Sequence, residues 1–167
     1  ASEMCETLCE HWGYAENDLC YKSTGELIRT FAICRRFRSN FLLNVGPMAD
    51  GSLRTIDRGI LEILGRWHSA NSEALHIPAP SGIEIENKPH NFMLRDGSSC
   101  YLFLFDLSKS SGDDVVIGGE ATTDSCFALS EAVKSVTWLD TGEPVPFSQQ
   151  DGRVTVHPTP QRYGQSF

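Results

Sequence analysis

A short apolar run with one amide inside it organises the first half of the chain. The run covers residues 40–45, Asn-Phe-Leu-Leu-Asn-Val, and Gly46-Pro47 ends it. Because consecutive rather than alternate positions are apolar, the pattern predicts a strand buried on both faces, as in a parallel sheet covered by helices. The loop that follows such a strand is where a βα barrel places its chemistry, so we expect functional residues there.

Helical periodicity flanks this predicted strand on both sides. Before it, Ser23 and Glu26 have the spacing of a capping box, and apolar residues three and four apart predict a helix over 24–36. After it, a second apolar stripe predicts a helix over 55–69. A short strand near residues 4–8 and a long loop come first. Helix, buried strand and helix are typical of a βα barrel or a doubly wound sheet.

The pattern changes near residues 76–80, where prolines and a glycine end the helical rhythm. Short strand-like segments follow, and Asp96-Gly97, Thr141-Gly142 and Asp151-Gly152 are turn signals between them. Short strands separated by regular turns predict an antiparallel β-sandwich. The predicted strands cover residues 83–85, 92–94, 100–107, 115–117, 133–139, 145–147 and 154–156.

The predicted fold class is therefore α/β plus all-β, with a domain boundary between residues 1–77 and 78–167. The first part is too short for a closed (β/α)8 barrel, which takes about 250 residues, and it has room for two βα units and an entering segment. The chain begins without an initiator methionine or a polar lead-in. We therefore expect it to be cut from a longer protein.

Composition and charge narrow the set of partners. The chain has 14 basic and 22 acidic residues and a formal net charge of −8, which argues against nucleic acid as a partner. The one basic cluster, Arg35, Arg36 and Arg38, ends a predicted helix, where cations complement the helix dipole. No apolar run approaches the ~20 residues of a membrane helix, so no membrane partner is expected.

Cysteine usage indicates mostly free thiols. The six cysteines, at positions 5, 9, 20, 34, 100 and 126, include no Cys-x-x-Cys pair, and this pattern leans towards an intracellular protein. Cys5, Cys9 and His11 fit no usual zinc spacing, so we expect no metal site.

Four segments of the first part carry motifs in a fixed order. The chain reads Ser2-Glu3-Met4-Cys5, then His11-Trp12-Gly13-Tyr14, then residues 40–47 with Asp50-Gly51, and finally residues 65–74. At these spacings the segments resemble the Trp-Glu-x-Cys, Ser-Trp-Gly-Tyr, Asn-Leu-Leu-Leu-Asn-Val-Gly-Pro with Asp-Gly, and Gly-x-Trp with Asn-Gly-Glu-Ala motifs of the retaining alpha-L-fucosidases. These enzymes are a family of glycoside hydrolases.

The resemblance implies that residues 1–77 are the end of a catalytic (β/α)8-like barrel and that 78–167 are the C-terminal β-sandwich. It also implies a parent enzyme that hydrolyses terminal alpha-L-fucose from fucosylated glycans with retention and without a cofactor. Retention takes two carboxyl groups about 5–5.5 Å apart. The family's nucleophile is an Asp on an earlier barrel strand and has no equivalent here, so we expect the fragment alone to be inactive.

Two site residues carry over from the family. Trp12 matches an aromatic residue that lines the fucose pocket, where an indole face packs against the sugar; the alternative is a core aromatic held by Gly13. Glu3 matches the Trp-Glu position, which implies either the catalytic acid/base or a hydrogen-bonding or salt-bridge role. We also expect the Asn44 amide to be hydrogen-bonded. Arg38 stands where the family has Gly, so it requires either backbone strain or a different turn.

Two other hypotheses stay open. A non-catalytic glycan-binding or stabilising sandwich would use exposed aromatics such as Trp138 and Tyr163, although Trp138 also fits a buried core position. A two-layer protein without a site would have no pocket around Trp12. Two βα units removed from a barrel would expose the strand edge at 40–45 and the apolar helix stripes. We therefore expect the first half alone to be unstable, oligomeric, held by the sandwich or associated with the missing part of the barrel.

Overall fold

The computed structural model describes residues 2–76, 79–105, 107, 109–111, 115–117, 124–159 and 161–162. The chain divides into two compact units, Ala1–Pro78 and Ala79–Phe167. Within the described ranges, no helix has both the length and the apolar character needed to cross a membrane.

The first unit is a pair of parallel strands with helices. Its elements are β1 (Glu3–Thr7), α1 (Thr24–Arg36), β2 (Asn40–Asn44), α2 (Thr55–Ala70) and α3 (Ser72–Leu75). In the parallel pair, each β1 residue lies opposite the β2 residue 37 positions later, from Glu3 and Asn40 to Thr7 and Asn44. The predicted helix, strand and helix around residue 43 are confirmed.

The predicted capping box starts α1. The Ser23 hydroxyl oxygen accepts a hydrogen bond from the Glu26 backbone N–H at 3.2 Å, and the Glu26 carboxylate accepts one from the Ser23 backbone N–H at 2.8 Å. These bonds satisfy two N–H groups that a helix start leaves without partners. The apolar side of α1 then packs inward, where one buried cluster of this unit consists of Leu8, Leu27 and Ile60, with Tyr21, Leu43, Val45 and Leu64 against it.

β2 is parallel as predicted, but the prediction that both its faces are buried is wrong for the described residues. Phe41 stacks on Phe31 of α1 with ring centroids 5.6 Å apart, and Leu43 packs against the core. Leu42, between them, is 42% exposed. Side chains alternate between the two faces of a strand, and the described helices cover only one face. The other face carries Glu3, Cys5, Thr7, Asn40, Leu42 and Asn44.

Of the two alternatives expected for Arg38, backbone strain or a different turn, the structure has backbone strain. Its φ is 55°, in the left-handed region that side chains with a Cβ seldom adopt. The turn follows the end of α1, where Ser39 N–H donates to the Cys34 carbonyl at 2.8 Å. The turn thus leads from α1 into β2 within three residues.

The second unit consists of short strands in three-stranded sheets among the described residues. Their orders are β3-β4-β5, β8-β10-β9 and β11-β6-β7. The strands are β3 (Ala79–Pro80), β4 (Phe92–Asp96), β5 (Ser99–Phe103), β6 (Lys109–Ser111), β7 (Val115–Ile117), β8 (Ser125–Ala128), β9 (Phe147–Gln150), β10 (Arg153–Val156) and β11 (Gln161–Arg162).

Two predicted hairpins are confirmed in this unit. Asp96 ends β4 and Gly97 begins the turn into β5, and Asp151-Gly152 joins β9 to β10. Asp151 and Gly152 both have positive φ, 51° and 74°, which is the geometry of a type I′ turn. Met93 of β4 and Val154 of β10 share one buried core, so side chains from two of the sheets pack together.

Several strand predictions in this unit need correction. Residues 83–85 form no strand, and 133–139 contribute only an isolated bridge between Thr137 and Pro144. Val133 and Val136 are apolar because they pack against the core, not because they belong to a ladder. β8 was not predicted, and β11 pairs with β6 in parallel, so the unit is not purely antiparallel.

One of the two aromatic candidates for glycan binding on this unit loses support. Trp138 is partly buried and packs against the core cluster, as its alternative interpretation expected. Tyr163 lies outside the described residues.

Candidate functional site

The candidate site lies where both strands of the first unit end. The carboxyl ends of parallel strands meet at one edge of the sheet, and here the segments 8–22 and 45–54 follow those ends. Leu8 N–H still donates to the Asn44 carbonyl at 3.3 Å, and Lys22 N–H donates to the Leu8 carbonyl at 2.9 Å. The longer segment therefore leaves and returns at the same point, and we call residues 9–20 the Trp12 loop.

Asn44 and Gly46 hold the backbone of the Trp12 loop. The Asn44 side-chain amide donates a hydrogen bond to the Trp12 carbonyl, so the expected hydrogen bond of Asn44 is confirmed. Gly46 lies against the backbone of Gly13 and Tyr14, where an added Cβ would be 2.6 Å from the Gly13 carbonyl carbon. Only a residue without a side chain permits this approach.

The Trp12 indole is exposed on this supported loop. It is 58% exposed, so within the described structure it is not the core aromatic that the alternative interpretation assumed. A rigid backbone beneath an exposed indole is a suitable support for stacking a planar or apolar ligand face.

The buried Asp18 carboxylate links residues near the two ends of the Trp12 loop. One oxygen of its buried carboxylate accepts both the backbone N–H and the ring Nδ1 of His11, each at 2.9 Å, and the other accepts the Cys20 N–H at 3.3 Å. The backbone and ring hydrogen bonds from His11 hold the pKa of the Asp18 carboxyl below its usual range. Asp18 is therefore an ionised acceptor at neutral pH.

A second polar cluster ties the loop to the start of α2. Arg54 Nη1 donates to the Asp18 carbonyl at 3.0 Å, and its guanidinium lies 5.1 Å from the ring centroid of Tyr14. The Tyr21 hydroxyl donates to the buried Asp57 carboxylate at 2.8 Å, and Asp57 also accepts the Arg54 backbone N–H at 3.2 Å. Burial, together with the hydrogen bond to Asp57, raises the pKa of Tyr21.

The space between these groups is small. A cavity of about 10 Å³ is lined by Cys9, His11, Asn44, Arg54 and Asp57, among others. This volume holds a single water molecule and cannot hold a sugar. The residues around this cavity therefore do not enclose a site of the size of a sugar.

The structure does not bring Glu3 and Trp12 together. Glu3 is the first residue of β1, and the Trp12 loop begins after its last residue, about 13 Å further along the strand. The exposed Glu3 carboxylate accepts hydrogen bonds from the Asn40 side-chain amide and the Cys5 thiol. Glu3 therefore has a hydrogen-bonding role that joins the two strands at their amino ends.

One group of described residues has ligand atoms at a spacing that suits a metal ion. Glu10, Asp18 and Cys20 place these atoms within 4.8 Å of one another. Both Asp18 oxygens already accept hydrogen bonds, and this bonding accounts for the buried carboxylate without a metal.

Sequence reasoning missed Asp18, Arg54 and Asp57. The motifs that it followed do not include these residues, and their partners are far away in the sequence: Arg54 and Asp18 are 36 positions apart. Asp57 is at the third position of α2, where acids are common at a helix start. A buried acid can be distinguished from an ordinary helix-start acid only once the tertiary contacts are known.

The first part of the chain is similar in sequence to known alpha-L-fucosidases. The family model described as alpha-L-fucosidase matches residues 1–73. The tissue alpha-L-fucosidase of Bos taurus is 34% identical over 91 residues, which are 50% of this chain and 19% of that protein. The alpha-L-fucosidase of Dictyostelium discoideum is 33% identical over 112 residues, 63% of this chain and 23% of that protein. The chain thus spans about a fifth of these relatives' length.

Solved structures show the same fold. Alpha-L-fucosidase isoenzyme 1 from Paenibacillus thiaminolyticus matches with a TM-score of 0.70 and 21% identity, over 98% of this chain and 37% of that one. A Thermotoga maritima alpha-fucosidase in complex with fucose matches with a TM-score of 0.68 and 17% identity, over 93% of this chain and 35% of that one. Residues 1–73 are thus similar in sequence to the alpha-L-fucosidase family, and the chain shares its fold with solved alpha-L-fucosidases.

Proposed function

We propose that this chain is the C-terminal portion of an alpha-L-fucosidase, which hydrolyses terminal alpha-L-fucose from glycans with retention of configuration. The observation that carries the proposal is the exposed Trp12 on a loop that Asn44 and Gly46 hold at the carboxyl ends of two parallel strands. Loops in this position carry the active sites of barrel enzymes. The family match supplies the substrate class.

The proposal assigns a role to each unit. Residues 1–77 form the last βα units of a (β/α)8-like barrel, and 78–167 form the C-terminal β-sandwich. The parallel pairing of β1 and β2 and the helices on one face support the first assignment. Cys5 and Leu42 on the opposite face are exposed, as residues are when they face a barrel interior whose other strands are absent. The core shared by β4 and β10 supports the second assignment.

Trp12 is the proposed substrate-binding residue. Its indole packs on the apolar face and methyl group of the fucosyl ring, and the hydrogen bond from Asn44 fixes the backbone below it. Packing of this kind removes the apolar face of the sugar from water, which favours binding. Fucosylated glycans are the corresponding partner class.

The predicted acid/base role of Glu3 needs a separate test. An acid/base role for Glu3 stays a prediction, and its bond to Asn40 at the amino ends of the strands favours a bridging role. Glu3→Gln in the longest protein that the gene encodes separates the two. A bridging role leaves kcat for a fucoside within a few-fold of wild type, whereas an acid/base role lowers it by about 10²–10⁴-fold.

The proposed nucleophile belongs to a part of the barrel outside this chain, so the chain alone is inactive. Hydrolysis of 4-nitrophenyl alpha-L-fucoside should be measured for this chain and, in parallel, for the longest encoded protein. Turnover by the longer protein only is the expected result. Turnover by this chain alone contradicts the position of the nucleophile, and no turnover by the longer protein contradicts the proposed activity.

A further inference from the structure

His11 and Asp18 form a pair that the proposed stacking by Trp12 does not use. The Asp18 side chain is 2% exposed, whereas the His11 side chain is 64% exposed. The carboxylate accepts the ring Nδ1 and the backbone N–H of His11 on the same oxygen. The ring is therefore held at one nitrogen from within the protein, while most of its surface faces solvent.

The chemistry of the partner fixes the tautomer of the ring. An ionised carboxylate only accepts hydrogen bonds, so the nitrogen beside it, Nδ1, must carry the hydrogen. In a neutral imidazole the second nitrogen, Nε2, then has a lone pair and acts as an acceptor. Asp18 thereby presents His11 as a hydrogen-bond acceptor with a fixed orientation.

His11 is adjacent to Trp12, so its Nε2 acceptor is in a position to contact a ligand that stacks on the indole. His11 directly precedes Trp12, and both belong to the loop that Asn44 and Gly46 hold. His11 also lines the small cavity next to Asn44. A sugar ring has an apolar face for an indole and hydroxyl groups around its edge, so a ligand stacked on Trp12 brings hydroxyl donors to neighbouring polar side chains.

We propose that His11 is a specificity-determining residue whose Nε2 accepts a hydrogen bond from a hydroxyl of the sugar bound against Trp12, and that Asp18 is the positioning residue that selects this tautomer. The inference rests on the proposed function, because the ligand is the glycan substrate. The motif that this segment resembles has Ser at the position of His11, and the imidazole reaches further from the backbone than that hydroxyl.

The first experiment measures the tautomer in this chain itself. Long-range proton–nitrogen NMR spectra distinguish a protonated from an unprotonated ring nitrogen. For the neutral form of the ring, the expected spectrum has Nδ1 protonated and Nε2 unprotonated in His11. In Asp18→Asn this preference is lost, because an amide can also donate to the ring. A predominantly Nε2-protonated His11 in the wild type overturns the proposal.

The second experiment measures kinetics with 4-nitrophenyl alpha-L-fucoside, in the longest protein that the gene encodes. Loss of one neutral hydrogen bond to substrate lowers kcat/KM by about 5- to 10-fold, and in His11→Ala the loss is expected mainly in KM. His11→Gln keeps an acceptor and recovers part of it. His157→Ala is the matched control, because His157 Nδ1 also lies 2.9 Å from an aspartate, Asp124, in the second unit.

The outcomes separate this inference from the proposed function. If the wild type hydrolyses the fucoside and His11→Ala behaves like His157→Ala, the contact is overturned and the proposed function stands. If the wild type hydrolyses no fucoside, the proposed function fails and the substrate contact fails with it. Equal melting temperatures for the His11 variants and the wild type exclude general destabilisation as the cause of a raised KM.

Discussion

The Asn44 side-chain amide donates a hydrogen bond to the backbone carbonyl of Trp12, 32 residues earlier in the chain. Asn44 ends β2, and Trp12 belongs to the loop that follows β1. Two segments that sequence analysis treated as separate motifs therefore form one unit. The amide in an otherwise apolar run therefore supports the backbone of the Trp12 loop.

Removing this amide should affect stability and ligand binding together. Asn44→Ala is expected to lower the free energy of unfolding by about 1 kcal/mol through the lost hydrogen bond, and to raise KM for a fucoside in the longest encoded protein. Urea unfolding and steady-state kinetics measure the two effects. Asn87→Ala is the control, since Asn87 likewise donates to a backbone carbonyl, that of Asp124, in the second unit. An equal rise in KM for both variants would argue against a local effect of Asn44 on Trp12.

Gly46 should tolerate no side chain. A Cβ there meets the Gly13 and Tyr14 backbone at 2.6 Å, so Gly46→Ala must displace the Trp12 loop, at a cost of about 1–3 kcal/mol. Gly59→Ala is the matched control, because no atom lies within 4 Å of the added Cβ in α2, and alanine there stabilises a helix by about 1 kcal/mol. Thermal unfolding should therefore shift in opposite directions for the two variants. A shift in the same direction would contradict the close packing at Gly46.

Relief of the strain at Arg38 should stabilise the first unit. At φ 55°, asparagine is tolerated better than arginine, so Arg38→Asn is expected to raise the free energy of unfolding by about 0.5–1 kcal/mol. Arg38→Ala also removes the charge but keeps a Cβ without a local hydrogen-bonding group. If alanine stabilises the protein as much as asparagine, the charge and not the backbone is responsible.

Asp18 should make the first unit sensitive to acid. Its pKa is lower in the folded protein than its ordinary value because of the hydrogen bonds from His11. Its ionised form therefore stabilises the fold above the ordinary value of about 3.9, and this contribution is lost as the pH falls through the lower folded value. Asp18→Asn should be less stable than the wild type at pH 7, and the difference should shrink below about pH 4. Urea unfolding between pH 7 and 2 tests this, with the exposed Glu16→Gln on the same loop as the control for lost charge. A difference that stays constant with pH would contradict the role of the carboxylate.

Local signals made much of the first unit predictable. The capping box of Ser23 and Glu26 and the apolar run around Leu43 involve neighbouring residues, so α1 and β2 follow from the sequence. The burial of β2 could not be predicted in the same way. An apolar run predicts which residues avoid water, but the described elements cover only one face, and Leu42 remains exposed.

The strands of the second unit were harder to predict because some of its buried residues do not belong to a strand. Val133 and Val136 pack against the core without belonging to a ladder. Ser125 of β8 is fully buried and accepts a hydrogen bond from the Asn91 side chain at 3.0 Å. A polar residue in a buried strand breaks the alternation that sequence analysis relies on. The hairpin turns were predictable because Asp-Gly favours positive φ by itself.

The exposed Cys5 thiol allows a chemical test of whether the uncovered face of the strand pair is occupied. The Cys5 thiol is exposed and belongs to the residue opposite Leu42, so any polypeptide that shields this leucine also shields the sulfur. Alkylation by iodoacetamide, followed by peptide mass spectrometry, therefore measures the occupancy of the face, with the exposed Cys100 of the second unit as an internal reference. We expect Cys5 to be labelled readily in this chain and protected in the longest encoded protein, while the labelling of Cys100 stays the same. Equal labelling of Cys5 in both proteins would show that no further part of the longer protein covers this face of the strand pair.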